Sequence, residues 1–280
     1  MLASLREQTY PSPEIIIIDD GSEPPLPPLE DSRLVRNETS LGMCAARNRG
    51  FDLARGKYVV VLDDDTVLPD PTLLARAVEV AEQWPRLGAI AFRQLTAEGK
   101  THYLQPALGE KLCFASHFFG YGFLVSREAI KSVGPFYDAF GYYHEEIELG
   151  FRLMDAGYTI LYDPSLGVIH YEETANRNYR VIHRINFRNS MCTVILRYPY
   201  WLIVPGLLRC MLRYVKLTWS WKIFSFSDLL WAFSSLIRMG PRLLRDRKPV
   251  RYKTLQSARA ANQGLIALQP DSRELTSPLS

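Results

Sequence analysis

Residues Lys57 to Thr66 read Lys-Tyr-Val-Val-Val-Leu-Asp-Asp-Asp-Thr. Val59, Val60, Val61 and Leu62 are apolar without alternation, and three of them are β-branched. That pattern suits a strand buried on both faces of a parallel sheet. The strand runs straight into three acids, Asp63, Asp64 and Asp65. Open α/β sheets take their ligands outside the carboxyl ends of the strands. Three adjacent carboxylates repel one another unless something positive offsets them. A divalent cation, which takes oxygen ligands, is the obvious group to do so. The plainer alternative is a solvated acidic turn.

The rest of the chain narrows the classes. At 280 residues and 47% hydrophobic composition, it is long and apolar enough for one large domain, alone or with an appendage. A net charge of +3 does not by itself imply nucleic acid, and no nucleic-acid motif accompanies it. Cys44, Cys113, Cys192 and Cys210 are widely spaced with no C-x-x-C pair, which fits reduced thiols in a cytosolic setting. Arg6 and Glu7 interrupt any apolar run near Met1, so no signal peptide is expected. No run of 18 apolar residues occurs, so no simple spanning helix is expected either.

Strand and helix patterns alternate along the first half. Strands are expected at Glu14 to Ile18, Leu34 to Arg36, Tyr58 to Leu62 and Leu87 to Phe92. Helices are expected at Gly42 to Ala54 and Thr72 to Gln83, the latter with apolar residues near a 3.6-residue spacing. Such alternation argues for a mostly parallel α/β sheet flanked by helices. A second half adds strands at Phe119 to Ser126, Thr159 to Tyr162 and Gly167 to His170. It also adds a helix from Glu145 to Ala156, with Gly157 as its natural cap.

Polar clusters sit at the element ends: Asp19 and Asp20, Arg47 and Asn48, Asp63 to Asp65, and Glu145, Glu146 and Glu148, with His170 closing a strand. Each has a plain reading. Asp20 in Asp-Asp-Gly-Ser suits turn chemistry. Glu145 and Glu146 suit a first helical turn, where the dipole favours carboxylates. Their order and spacing carry more than any one of them. Together with Ser4 to Pro11, Glu14 to Ser22, Ala45 to Gly50, Leu62 to Asp65, Val133 to Tyr137, Glu145 to Leu149, Gly157-Tyr158 and Pro164 to His170, the chain resembles family 2 glycosyltransferases of the GT-A fold over residues 1 to about 190.

The resemblance implies a Rossmann-like nucleotide-sugar fold and a set of roles. Asp20, beside Asp19, would contact the nucleotide base with help from Arg47. Asp63 and Asp64 would lie at the nucleotide. Asp63 and Asp65 would form a D-x-D pair on Mn²⁺ or Mg²⁺, and His170 would complete the metal site and favour Mn²⁺. Glu146 would be the general base, with Glu145 as the alternative. Arg152 would serve the phosphates or pair with Asp155. The implied reaction is inverting transfer from a nucleoside-diphosphate sugar to a glycan or lipid-linked acceptor, in cell-surface polysaccharide synthesis. Relatives open with an apolar strand before the helix that holds Ser4 and Leu5, whereas this sequence opens inside that helix. A truncated or incorrect start is the expectation. The alternative function is a catalytically silent, membrane-associated binding protein.

Composition changes near Ser190. From Arg197 to Lys253 there are twelve basic residues and only two acids, with four of the five tryptophans. Tyr198 to Leu217, interrupted by Pro199 and Pro205, and Leu229 to Leu244 read as amphipathic helices at a membrane interface. The alternative is a helical cap on the catalytic domain. The expected division is a catalytic domain over 1–190, a basic, aromatic, membrane-associated helical segment over 191–253 and a flexible tail over 254–280. The expected location is the cytoplasmic face of a membrane.

Overall fold

The computed structural model describes residues 1–172 and 177–263. Its elements are α1 (Leu2–Arg6), β1 (Ile16–Asp19), β2 (Arg33–Arg36), α2 (Met43–Leu53), β3 (Tyr58–Leu62), β4 (Thr66–Val67), α3 (Leu73–Glu82), β5 (Leu87–Leu95), β6 (Cys113–Phe114) and β7 (Gly122–Ser126). They continue as α4 (Arg127–Val133), α5 (Glu145–Asp155), β8 (Thr159–His170), α6 (Tyr179–Arg197), α7 (Tyr200–Ser220), α8 (Phe226–Arg245) and α9 (Tyr252–Asn262).

The α/β class stands, but the sheet is mixed rather than mostly parallel. Its strand order is β3-β7-β5-β8-β4, with β6 also on β8. β7 is inserted between β3 and β5 and runs against both, pairing Val60 with Leu124 and Ile90 with Leu124. Among the described residues only β5 with β8, and β1 with β2, pair in parallel. Central β7 is buried throughout, as the apolar run Gly122–Ser126 demands. The two short strands expected at Thr159 and Gly167 are one, β8, whose pairing with β5 slips between Phe92 and Arg93. That slip skips Pro164, which cannot donate to a ladder.

β1 and β2 form a separate two-stranded sheet. The edge of β1 away from β2 and the edge of β3 away from β7 both line a cavity of about 2320 Å³. Tyr58 to Leu62 are therefore half-buried, not buried on both faces as their composition predicts. No strand among the described residues lies between these edges.

On one face of the large sheet, α3 packs Leu73, Leu74, Ala77 and Ala81 against Ile90, Phe92, Leu124 and Val168. Each such leucine contributes roughly 1.5–3 kcal/mol by leaving water. On the other face, Phe118, Phe123, Phe136 and Leu149 join Leu196 of α6, Leu243 of α8 and Leu255 of α9 in one core. The composition change near Ser190 thus falls inside α6, and the C-terminal helices share a core with the sheet. Pro199 caps α7 and Pro205 lies within it, so neither interrupts the helix. The expected tail begins instead as α9, which buries Thr254, Leu255, Ala258 and Ala261. Residues 264–280 of that tail lie outside the described residues.

Candidate active site

β3 delivers the acids and β4 fixes them. After Leu62 the chain turns, with Thr66 N–H donating to Asp63 O at 3.1 Å. Thr66 is buried and its hydroxyl donates to Tyr121 O at 2.7 Å. β4 then pairs Thr66 with His170. This short register brings the end of β8 beside the end of β3, residues more than a hundred positions apart in sequence.

Asp63, Asp65 and His170 consequently offer ligand atoms all within 4.8 Å of one another. Asp65 Oδ1 lies 3.0 Å from His170 Nε2, yet it is buried with no hydrogen bond. A buried carboxylate oxygen without a donor is costly unless a cation faces it. The donor set of two carboxylates and one imidazole suits Mn²⁺ and accepts Mg²⁺ less well. Behind His170, Nδ1 lies 3.1 Å from Gln94 Nε2 and 3.4 Å from Glu172 Oε1. A metal on Nε2 requires the proton on Nδ1, and Glu172 is the acceptor for it. Burial disfavours the His170 cation, but Asp65 and Glu172 outweigh it and lift its pKa to about 9, so without a metal the protonated imidazole itself is the cation facing Asp65 Oδ1. Asp64 is exposed, on the wall of the same cavity.

Arg47 connects this trio to the glutamates. Its side chain is 7% exposed, and Nη2 donates to Asp63 Oδ1 at 2.7 Å and to Gly120 O at 3.1 Å. Nη1 is 3.5 Å from Glu145 and 3.9 Å from Glu146. Burial opposes the guanidinium cation, but Asp63, Glu146 and Glu145 hold its pKa above the ordinary arginine value. A Cβ on Gly120 would overlap Nη2 and lie 2.8 Å from Nη1, so only glycine admits this arginine.

Glu145 and Glu146 open α5 inside the same cavity. The Glu145 side chain is wholly buried, and its Oε2 has no partner among the described residues. Burial, then the Glu146 charge, pushes Glu145 well above the usual carboxylate range against the pull of Arg47. Burial also raises Glu146, with Arg47 opposing. Glu146 keeps 12% of its side chain exposed, so of the two it alone offers surface to a second molecule. Glu148 faces away. It is buried between Arg152, at 2.7 Å, and Arg197 of α6, at 2.5 Å. Arg152 also donates to the carbonyls of Val133, Gly134 and Pro135, so it serves neither phosphate nor Asp155. Asp155 pairs with Arg251.

Tyr143 and His144, immediately before α5, both have positive φ, 67° and 74°. Non-glycine residues hold such angles only where surroundings enforce them. Asn189 of α6, fully buried, does so: its Nδ2 lies 2.7 Å from Tyr142 O and 2.7 Å from Tyr143 O. No spacing in the sequence marks Asn189, Gln94 or Glu172.

Asp19 and Asp20 line the cavity, but their carboxylates are occupied. Asp19 accepts from Ser22 N–H and pairs with Arg36. The Ser22 N–H holds its carboxyl well below the usual range, against its burial. Asp20 accepts from Asn37, Ser40, Leu41 N–H and Gly42 N–H at 2.7 to 2.9 Å. Its burial favours the neutral acid, but these four donors outweigh it and lower the pKa. Both acids thus organise the turns that lead into β2 and α2.

The chain is similar to several known proteins. An uncharacterised glycosyltransferase of Haemophilus influenzae is 33% identical over 114 residues, 38% of each chain. The O-antigen biosynthesis protein RfbC of Myxococcus xanthus is 25% identical over 210 residues, 63% of this chain and 16% of that protein. The chain therefore spans less than two-fifths of the length of either relative. The mannosyltransferase PcManGT of Pyrobaculum calidifontis, solved with GDP-Man and Mn²⁺, superposes with a TM-score of 0.52 at 16% identity, over 92% of this chain and 78% of that one. The family model for glycosyl transferase family 2 matches residues 1–137. That match identifies residues 1–137 with the glycosyl transferase family 2 domain.

Proposed function

We propose that this chain is a metal-dependent, inverting glycosyltransferase that moves a sugar from a nucleoside-diphosphate sugar to a glycan or lipid-linked acceptor. One observation carries the reading. A metal-ligand trio and a buried, Arg47-linked glutamate pair meet in a single cavity. Asp63, Asp65 and His170 would hold Mn²⁺ or Mg²⁺. Bound there, the metal supplies Lewis-acid stabilisation of the leaving diphosphate. Glu146 takes the proton from the acceptor hydroxyl as that oxygen bonds to the anomeric carbon. The bond from that carbon to the diphosphate oxygen breaks, and its electron pair leaves with the phosphate. Attack opposite the leaving group inverts the configuration. Glu145 stays buried, and Arg47 offsets the carboxylate charge on both sides.

The likeness to RfbC supports polysaccharide synthesis as the setting. The structure described with GDP-Man and Mn²⁺ supports a nucleotide sugar and manganese as partners. The basic, aromatic helices α7 and α8 support a membrane surface, and the free cysteines support its cytoplasmic face. A second reading, a catalytically silent binding protein, draws on the open edges of β1 and β3. Single-turnover transfer from radiolabelled sugar nucleotides to membrane-extracted acceptors separates the two. Glu146→Gln should abolish transfer while nucleotide binding survives. Full transfer by Glu146→Gln would remove it as the base, and binding without any transfer would favour the silent reading.

A further inference from the structure

α7 and α8 each bury one side on α6 and turn a second, equally apolar side outward. The buried sides meet Phe187 and Met191 of α6 through Met211 and Tyr214 of α7 and Ala232 of α8. The outer stripe of α7 is Trp201, Val204, Leu208, Leu212 and Trp219, each 58% to 70% exposed. These positions recur at i, i+3, i+7, i+11 and i+18, one line along a helix. α8 repeats the device with Phe226, Leu230, Ile237 and Leu244. Soluble monomers rarely leave contiguous apolar surface of this extent in water.

A basic column accompanies each stripe. Arg209, Arg213 and Lys216 are exposed about a quarter-turn around α7 from its apolar line, and Arg238 and Arg245 hold the same place on α8. From 198 to 253 the only acids are Asp228, buried against Arg180, and Asp246, paired with Arg245. Arg245 is thereby neutralised, while Arg209, Arg213, Lys216 and Arg238 pair with neither acid. A second copy docked symmetrically would bring like charges together. No helix of the described residues is long and apolar enough to cross a membrane.

We infer that the outer faces of α7 and α8 dock in the plane of an anionic lipid bilayer. The apolar stripes enter the acyl boundary, Trp201 and Trp219 lie at headgroup level, and the arginines and lysines meet anionic headgroups. Arg213 also lines the wall of the cavity that holds Glu146, so docking brings the cavity to the lipid surface. This inference specifies the membrane setting proposed above and does not depend on the transfer chemistry.

The test is co-sedimentation of the full chain with vesicles of phosphatidylcholine alone or mixed with phosphatidylglycerol. Calorimetric nucleotide binding is run on the same preparations, so failure of docking and failure of the transferase reading are told apart. The wild type should bind the mixed vesicles about tenfold or more tighter than the neutral ones, with the difference falling at high salt. Trp201→Ser with Leu212→Ser should weaken binding to both vesicles by about tenfold or more. Arg209→Gln with Lys216→Gln should weaken binding to the mixed vesicles only. Nucleotide affinity should be unchanged in both variants. Equal binding of wild type and both variants would overturn the inference. So would a lipid-free dimer by sedimentation equilibrium that the serine variant dissolves, because a second copy would then cover the face.

Discussion

Asn189 offers the sharpest test of how the C-terminal helices serve the site. Replacing it with leucine keeps the branched heavy-atom shape but removes the amide that holds the turn before α5. Two carbonyls, of Tyr142 and Tyr143, each lose a donor at 2.7 Å. A buried acceptor left unpaired costs about 1–3 kcal/mol, so the two carbonyls should together cost about 2–6 kcal/mol in urea unfolding, less the strain that the turn sheds. The turn stores strain at Tyr143 and His144, of order 1–3 kcal/mol each. Without Asn189 it relaxes toward negative φ and rotates the first turn of α5. Glu146 sits two residues after the strained pair, so kcat should fall by about tenfold or more. Nucleotide affinity should hold, because the metal trio lies in the β3–β4 turn and at the end of β8. Met191→Ala is the control: it empties a site between α6 and α7 at a cost of about 2–5 kcal/mol without touching the turn. Asn189→Leu with normal kcat, or Met191→Ala with an equal loss of kcat, would refute the reasoning.

Glu148→Gln should cost about 3–5 kcal/mol in chemical denaturation, because it leaves Arg152 and Arg197 buried without their carboxylate. Gly120→Ala should push Arg47 off Asp63 and lower kcat by about tenfold or more, read in a steady-state transfer assay. Burial raises Glu146 above the ordinary glutamate pKa, and only its ionised form accepts a proton. The kcat profile should therefore fall on the acid side at a pH above that ordinary value, and Glu146→Gln should lack this limb at any residual rate.

The site was legible in the sequence where chemistry is written as contiguous residue type. Asp63, Asp65, His170, Arg47 and the two glutamates all stand out in their motifs, and the structure brings them to one cavity. What motifs lack is direction. The apolar run Gly122–Ser126 gives no sign that it lies between β3 and β5 and runs against both, which makes the sheet mixed. Motifs also do not show which lone pairs are spent. Asp20 reads as a ligand contact, yet four donors from the loop before α2 occupy it. Arg152 reads as a cation for phosphate, yet its partner is one helical turn away at Glu148. Asn189 and Glu172 act through tertiary contacts alone, with no periodicity or neighbour to mark them. The proposed choice of Glu146 over Glu145 rests on burial, because both residues carry the same group.

The central claim is that Asp63, Asp65 and His170 form a metal site at which a nucleotide binds. Calorimetric titration of the full chain with UDP, GDP and dTDP, each with and without Mn²⁺, tests it most directly. One nucleotide should bind, only with Mn²⁺, and Asp65→Ala should abolish the binding while the protein stays folded. Nucleotide binding that is indifferent to Mn²⁺ and to Asp65→Ala would contradict it.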